Sequence, residues 1–193
     1  MRGHVAEGGG IRLSRPSRAD APALIAAHRA SRTLHHPWVQ PFTDEVGFEA
    51  WFLRGLTGPN IGLVVRRVDG NAPVGVVNLN EIAGGAFHSA YLGYWAMAGQ
   101  EGRGAMRWAL TLALEFAFRD LGLHRLEANI QPGNLRSIAL VRGLGFRHEG
   151  FSPRYLRIGG EWRDHERWAR LTDDPPAEAP LAEAPPPGQK PAA

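Results

Sequence analysis

Apolar positions along the chain recur with two periods, and each change of period marks a new element. IRLSRP at residues 11–16 alternates apolar and polar side chains and predicts a short strand. SRADAPALIAAHRAS at 17–31 opens on Ser and Asp, carries Pro22 early and then repeats apolar residues at helical spacing, which predicts an amphipathic helix. LHHPWVQPF at 34–42 is broken by prolines and reads as an aromatic loop. TDEVGFEAWFLRGL at 43–56 predicts a second helix, with Thr43 or Asp44 as its cap. NIGLVVRRV and APVGVVNLNEI predict two strands joined in a hairpin through DGNA, and AFHSAYLGYW predicts a third. Strands that follow one another with no helix between them favour antiparallel pairing.

A helix is predicted from Gly104 to Leu121, with Met106, Leu110, Ala113, Leu114 and Ala117 on one face and Arg107, Thr111, Glu115 and Arg119 on another. HRLEANI is the next strand. GNLRSIALVRGLGF is a helix that Gly145 can end in a left-handed cap, with Phe146 leading into a further strand. PRYLRI and EWRDHERWA form a hairpin turned by Gly159 and Gly160. The fold class is therefore α/β of the α+β type: a mixed, mostly antiparallel sheet of about 6–7 strands flanked by about four helices. Residues 1–10 read as a loose N-terminus, 11–171 as one domain, and 172–193 as a Pro/Ala-rich tail too poor in apolar surface to fold.

Composition narrows the chemistry. The chain has no cysteine, so disulfides, thiol catalysis and cysteine-ligated zinc are excluded, which fits the cytoplasm. No apolar run is long enough to cross a membrane, and the first residues carry no secretory signal. The net charge of +3 is mild, and Lys190 is the only lysine. The arginines are dispersed among acids rather than gathered into an arm for nucleic acid. His35, His36, His88, His124, His148 and His165 show no metal-ligand spacing, so no metal is expected.

GQEGRGAMRWAL at 99–110 joins a strand-like run to a helix-like one through closely spaced glycines. A helix N-terminus has free N–H groups and partial positive charge, and glycines let an anion approach them. The loop predicts a phosphate site; a turn that needs glycines for its own geometry is the plain alternative. A Walker loop is absent. A dinucleotide fingerprint would need Gly or Ala where Arg107 stands, although Glu127 lies at a tolerable distance for a ribose acid.

YLGYW, GQEGRGAM, HRLEANIQPGNLRS, GLGF and GGEWRDH together resemble the GNAT acetyltransferases over residues 11 to 171, and more narrowly the RimJ/RimL branch, which acetylates protein N-termini. The resemblance implies the GNAT fold, acetyl-CoA as cosubstrate and no metal. It implies pyrophosphate binding by Gly102, Arg103, Gly104 and Ala105. The family's loop begins with Arg or Gln three residues before the first of these glycines; here Gly99 stands there, with Gln100 beside it. Tyr94, Trp95 and Ala96 match the strand edge that pairs with pantetheine, and Asn134 and Ser137 match residues at the thiol end. Asn129 is a further candidate on the cofactor path.

The implied reaction is attack of a neutral amine on a thioester. At pH 7 a lysine amine costs roughly 4.6 kcal/mol to deprotonate and an N-terminal amine only about 1.2, so an enzyme for N-termini can manage with a weak base. Glu81, Glu127 and Glu149 are the candidate bases, with Glu81 preferred. Ser137 is the candidate donor to the thiolate; a serine that only satisfies the helix start is the plain alternative. The oxyanion is expected on a backbone N–H of the GYWA strand. Trp38, Phe42 and Tyr155 are expected on the acceptor side; as plain alternatives, Trp38 and Phe42 would form a small satellite core and Tyr155 would pack the hairpin. Some relatives carry an acid before the tyrosine of RYL, where this chain has Arg154. Asp164 and His165 are read as a structural pair. The acceptor is expected to be a protein N-terminus, such as that of a ribosomal protein, or a small amine such as an antibiotic, polyamine or amino acid. A non-catalytic acyl-CoA-binding module is the alternative class. No specific nucleic acid and no membrane partner are expected, and the chain is expected to be a monomer or a homodimer.

Overall fold

In the computed structural model, which describes residues 3–175, one eight-stranded sheet carries helices on both faces. In chain order the elements are β1 His4–Gly8, β2 Ile11–Ser14, α1 Ala21–Ala30, α2 Arg32–His35, α3 Glu45–Thr57, β3 Ile61–Arg67, β4 Pro73–Ala83, β5 Ser89–Ala96, α4 Ala105–Glu115, β6 Arg125–Ile130, α5 Leu135–Gly143, β7 Arg147–Ile158 and β8 Glu161–Leu171. The strand order is β1-β2-β3-β4-β5-β6-β8-β7. Every neighbouring pair is antiparallel except β5–β6, which α4 connects as a parallel crossover.

Two cores lie on the two faces. Leu110, Ala113, Leu114 and Ala117 of the α4 segment pack with Leu126, Ala128 and Ile138 on one side. Leu24, Phe48, Phe52, Val64 and Val76 pack on the other, under α1 and α3. Because helices cover both faces of β3, its residues Ile61 to Arg66 are all buried, which is why that strand reads as a continuous apolar run rather than an alternation.

Residues 1–10, read as loose, contribute β1, which pairs with β2 across Gly9 and Gly10. Gly9 has φ +56, and a Cβ there would fall within the Trp108 ring of α4. That close approach explains the glycine run. Asp44 caps α3, accepting the Gly47 N–H at 2.7 Å. The predicted aromatic loop begins with a helical turn, α2, and the end of the long helix is a π turn over Phe116–Asp120. The strand after Phe146 and the first strand of the last hairpin form one strand, β7, carrying two bulges. Residues 172–175 are fastened as well: Asp174 accepts the Leu171 N–H and pairs with Arg147 at 2.7 Å. The rest of the predicted tail, 176–193, lies outside the described residues.

Candidate active site

β5 and β6 pair only at Ser89–Arg125, Ala90–Leu126 and Tyr91–Glu127. Among the described residues no further rung joins them, although β5 stays bonded to β4 as far as Ala96. The strands therefore separate, and the main chain of Gly93, Tyr94 and Trp95 borders the opening. Side chains alternate across it. Tyr94 turns toward the face covered by α4 and α5, where it packs against the first core. Trp95 turns toward α1 and α3.

The glycine loop lies at the end of β5. Gly99, Gly102 and Gly104 have φ of 79°, 71° and 71°, a region side chains rarely adopt. A Cβ on Gly99 or Gly102 would meet nothing within 4 Å, so backbone direction, not protein crowding, requires glycine there. Gly104 is the N-cap of α4. The first bond of the helix runs from the Trp108 N–H to the Gly104 carbonyl at 3.1 Å, leaving the N–H groups of the preceding turn directed outward. Arg103 is exposed beside them and Gln100 is partly buried. This cradle fits a pyrophosphate in chemistry and in space.

At the throat of the opening, α5 begins. Asn134 is its N-cap and accepts the Ser137 N–H at 3.2 Å. The hydroxyls of Tyr94 and Ser137 are 2.5 Å apart, and the phenol lies 3.3 Å from the Ser137 carbonyl. Burial pushes the Tyr94 phenol well above its usual pKa, against the bond from Ser137, so it remains a neutral donor. The Tyr94 hydroxyl is the site feature that sequence reasoning missed: only its strand position was read, and no local pattern signals a contact 43 residues away. Asn129 faces the other side of β6, and its Oδ1 is buried with no partner among the described residues.

On the α1–α3 face, Gln131 Nε2 donates to the Trp38 and Pro37 carbonyls at 3.2 and 3.3 Å. This holds the 36–42 loop over the end of β6, with Trp38 against Gly133. Phe42 is turned into the second core, its ring 4.4 Å from that of His28. His28 is fixed in one tautomer: Nδ1–H donates to the Phe42 carbonyl at 2.9 Å, and Nε2 accepts the Trp95 indole N–H at 3.0 Å. Burial lowers its pKa to about 4. His35 Nε2 bonds the Ala96 carbonyl at 2.8 Å. Neither link was legible in the sequence.

The three candidate bases differ. Arg125 binds Glu127 at 2.7 Å and Glu149 at 2.5 Å, and its hydrogen bond holds the Glu149 carboxyl below the usual range. Glu81 sits on a bulge of β4 at φ 50°, exposed, its N–H bonded to Asn60 Oδ1 at 2.9 Å. Tyr155 is half-buried beside His165, and desolvation followed by its hydrogen bond with Tyr91 pushes its phenol up to about 12. The Arg154 N–H, in contrast, binds Asp164 at 2.7 Å, so Asp164 anchors the bulge of β7. Among the described residues no group of three or more His, Asp or Glu could hold a metal ion, and no helix is long and apolar enough to cross a membrane.

With this geometry in view, residues 11–147 match the family model described as an acetyltransferase (GNAT) domain. Over 101 residues the chain is 43% identical to the ribosomal protein uS5-alanine N-acetyltransferase of Escherichia coli (strain K12), covering 52% of each protein. It is 38% identical to the probable N-acetyltransferase YjcK of Bacillus subtilis (strain 168), over 52% of this chain and 56% of that protein. The chain thus spans about half the length of the curated relatives it matches. The solved structure of Mycobacterium smegmatis RimJ in complex with CoA-disulfide superposes with a TM-score of 0.76 at 29% identity, covering 88% of this chain and 86% of that one.

Proposed function

The chain belongs to the GNAT acetyltransferase family and is similar to its RimJ/RimL branch; from that premise we propose that it is an acetyl-CoA-dependent N-acetyltransferase whose acceptor is the α-amine of a protein or peptide N-terminus, of the ribosomal-protein type. One observation carries the reading. The β5–β6 opening has a glycine-lined helix N-terminus at one end and a paired Tyr94–Ser137 at its throat.

Coenzyme A would supply the acetyl group as a thioester. Backbone N–H groups of Gly102, Gly104 and Ala105, with Arg103 and Gln100 beside them, would hold its pyrophosphate. The main-chain edge of Tyr94, Trp95 and Ala96 would bond the pantetheine amides as an added strand. Asn129 and Asn134 border that path. A β5 N–H is suited to stabilise the oxyanion. Ser137 would donate a proton to the departing thiolate and regain one from solvent as Glu81 releases the amine proton there, while the Tyr94 phenol, which stays neutral, holds the Ser137 hydroxyl in place by a hydrogen bond. On the opposite face Glu81 accepts the amine proton, directly or through water. Two competing carboxylates are engaged by Arg125, and an α-amine asks little of its base. Trp38 and Tyr155 would bound the acceptor, with Phe42 packed behind.

The test is calorimetry with acetyl-CoA and with NAD, followed by mass spectrometry of a peptide panel with free N-termini alongside spermidine and an aminoglycoside. Acetyl-CoA binding with acetylation of peptide α-amines is the expected result. Transfer only to the small amines overturns the acceptor assignment. Binding without transfer to any of them leaves an acyl-CoA-binding module, and binding of NAD alone overturns the donor assignment.

A further inference from the structure

A cleft of about 190 Å³ opens on the α1–α3 face, lined by Trp51, Arg54, Asn60, Asn78, Asn80 and Trp95. Its hydrogen-bonding character is set by bonds already made. Asn60 Oδ1 accepts the Glu81 N–H at 2.9 Å, and Asn78 Oδ1 accepts the Trp51 indole N–H at 2.8 Å. Both donors are N–H groups, so each must meet the carboxamide oxygen, and the NH₂ end of each amide is left over. Arg54, exposed on α3, is the one charged side chain of the lining. The cleft therefore offers donors and a cation, and suits a ligand rich in carbonyl and carboxylate oxygens. A polyamine, which is cationic and chiefly a donor, is the wrong chemistry.

The cleft adjoins the strand that borders the opening, with Trp95 common to both. Asn78 lies opposite Gly93, which is past the last β5–β6 rung. A Cβ on Gly93 would come 3.2 Å from Asn80 Nδ2. With glycine at this point, no side chain stands between Asn80 and the strand edge that borders the opening. Trp51 packs directly over Gly62, where a Cβ would lie 2.6 Å from the indole, and is held by its bond to Asn78.

Resting on the N-terminal acetyltransferase reading, we infer that this cleft receives the acceptor polypeptide just after its first residue. The carboxamides of Asn60, Asn78 and Asn80 bond its main-chain carbonyls, and Arg54 selects acidic over basic side chains.

The test is kcat/KM for peptides that differ only in Glu or Lys at the second to fourth positions, with the wild type, Arg54→Glu and Asn80→Asp. The wild type should favour the Glu peptides by roughly threefold, the scale of an exposed ion pair, and Arg54→Glu should invert the preference. Asn80→Asp should raise the peptide KM with little change in kcat. An unchanged Glu/Lys ratio in Arg54→Glu, or an unchanged KM in Asn80→Asp, overturns the inference while leaving N-terminal acetylation intact. Acetylation of spermidine with no peptide acetylated by the wild type overturns the acceptor reading, and this assignment with it.

Discussion

A hydroxyl pair at 2.5 Å at the throat of a split sheet fixes where the serine hydroxyl sits. Ser137 must regain its proton from solvent. Tyr94, kept neutral by burial, does not give up its own proton but holds the serine hydroxyl in position. Tyr94→Phe should therefore lower kcat by about tenfold, the scale of one lost hydrogen bond that positions a reacting group, while changing the KM for acetyl-CoA far less. Steady-state kinetics with donor and acceptor varied separately reads this split. An equal fall in affinity would make the tyrosine a packing residue. The two partners were not equally legible in the sequence. Asn134 and Ser137 were legible because NLRS matches the family's residues at the thiol end, and Asn134 is also a residue type that caps a helix, as it does here. Tyr94 sits in a strand whose pattern reveals only which face it takes. Its partner depends on where α5 begins, which is tertiary information. Phe42 shows the same limit: it looked like a candidate wall but is packed against His28 and Trp51.

Elements were legible where one face repeats, as in α3 and α4, and where a buried run ends in turn residues, as in β3 and β4. β1 escaped because HVAEGGG has the composition of a loose end; its glycines serve a tight turn under Trp108. The start of α4 carries a sharp prediction. Gly104 is left-handed at φ 71°, so Gly104→Val forces a β-branched residue into a conformation that costs about 1–2 kcal/mol, and it crowds the turn that faces the phosphate site. Denaturant titration should show that loss, and calorimetry should show weaker acetyl-CoA binding, by about tenfold for each 1.4 kcal/mol of binding energy removed. Unchanged affinity would remove the loop from the phosphate site. A second element boundary depends on a buried ion pair. Arg66 on β3 meets Asp20, just before α1, at 2.8 Å with both side chains 6% exposed, and also bonds Ser14 and the Asn71 carbonyl. Asp20→Ala leaves the guanidinium buried without its carboxylate, so a loss of about 3–5 kcal/mol is expected, measurable by urea unfolding.

At the scale of the whole molecule, one sheet holds two cores, and the α1–α3 layer is keyed to the active strand through histidines. His28 receives the Trp95 indole N–H, and His35 holds the Ala96 carbonyl. These contacts set the position of the very strand whose edge borders the opening, so acid should loosen the fold at the site itself. The sign follows from the folded pKa of His28, about 4 against an ordinary 6.5, lowered chiefly by burial, with the Phe42 carbonyl opposing and His35 adding to it. Between those values the unfolded chain binds a proton that the folded chain does not. Stability is therefore full above pH 6.5 and falls as pH drops toward 4, by about 3 kcal/mol for this group. His35 and His165, also lowered by burial, act in the same direction. His28→Gln keeps an acceptor for the indole and removes the titration. Urea midpoints measured from pH 7.5 to pH 4, values chosen to span roughly the interval from above the unfolded histidine pKa to the folded one, should fall less steeply in this variant than in the wild type. The residual slope belongs to the other two histidines and to the carboxylates. Parallel curves for the two proteins would mean that His28 is not a proton-linked tie between the layers, and the acid sensitivity would have to lie elsewhere in the fold.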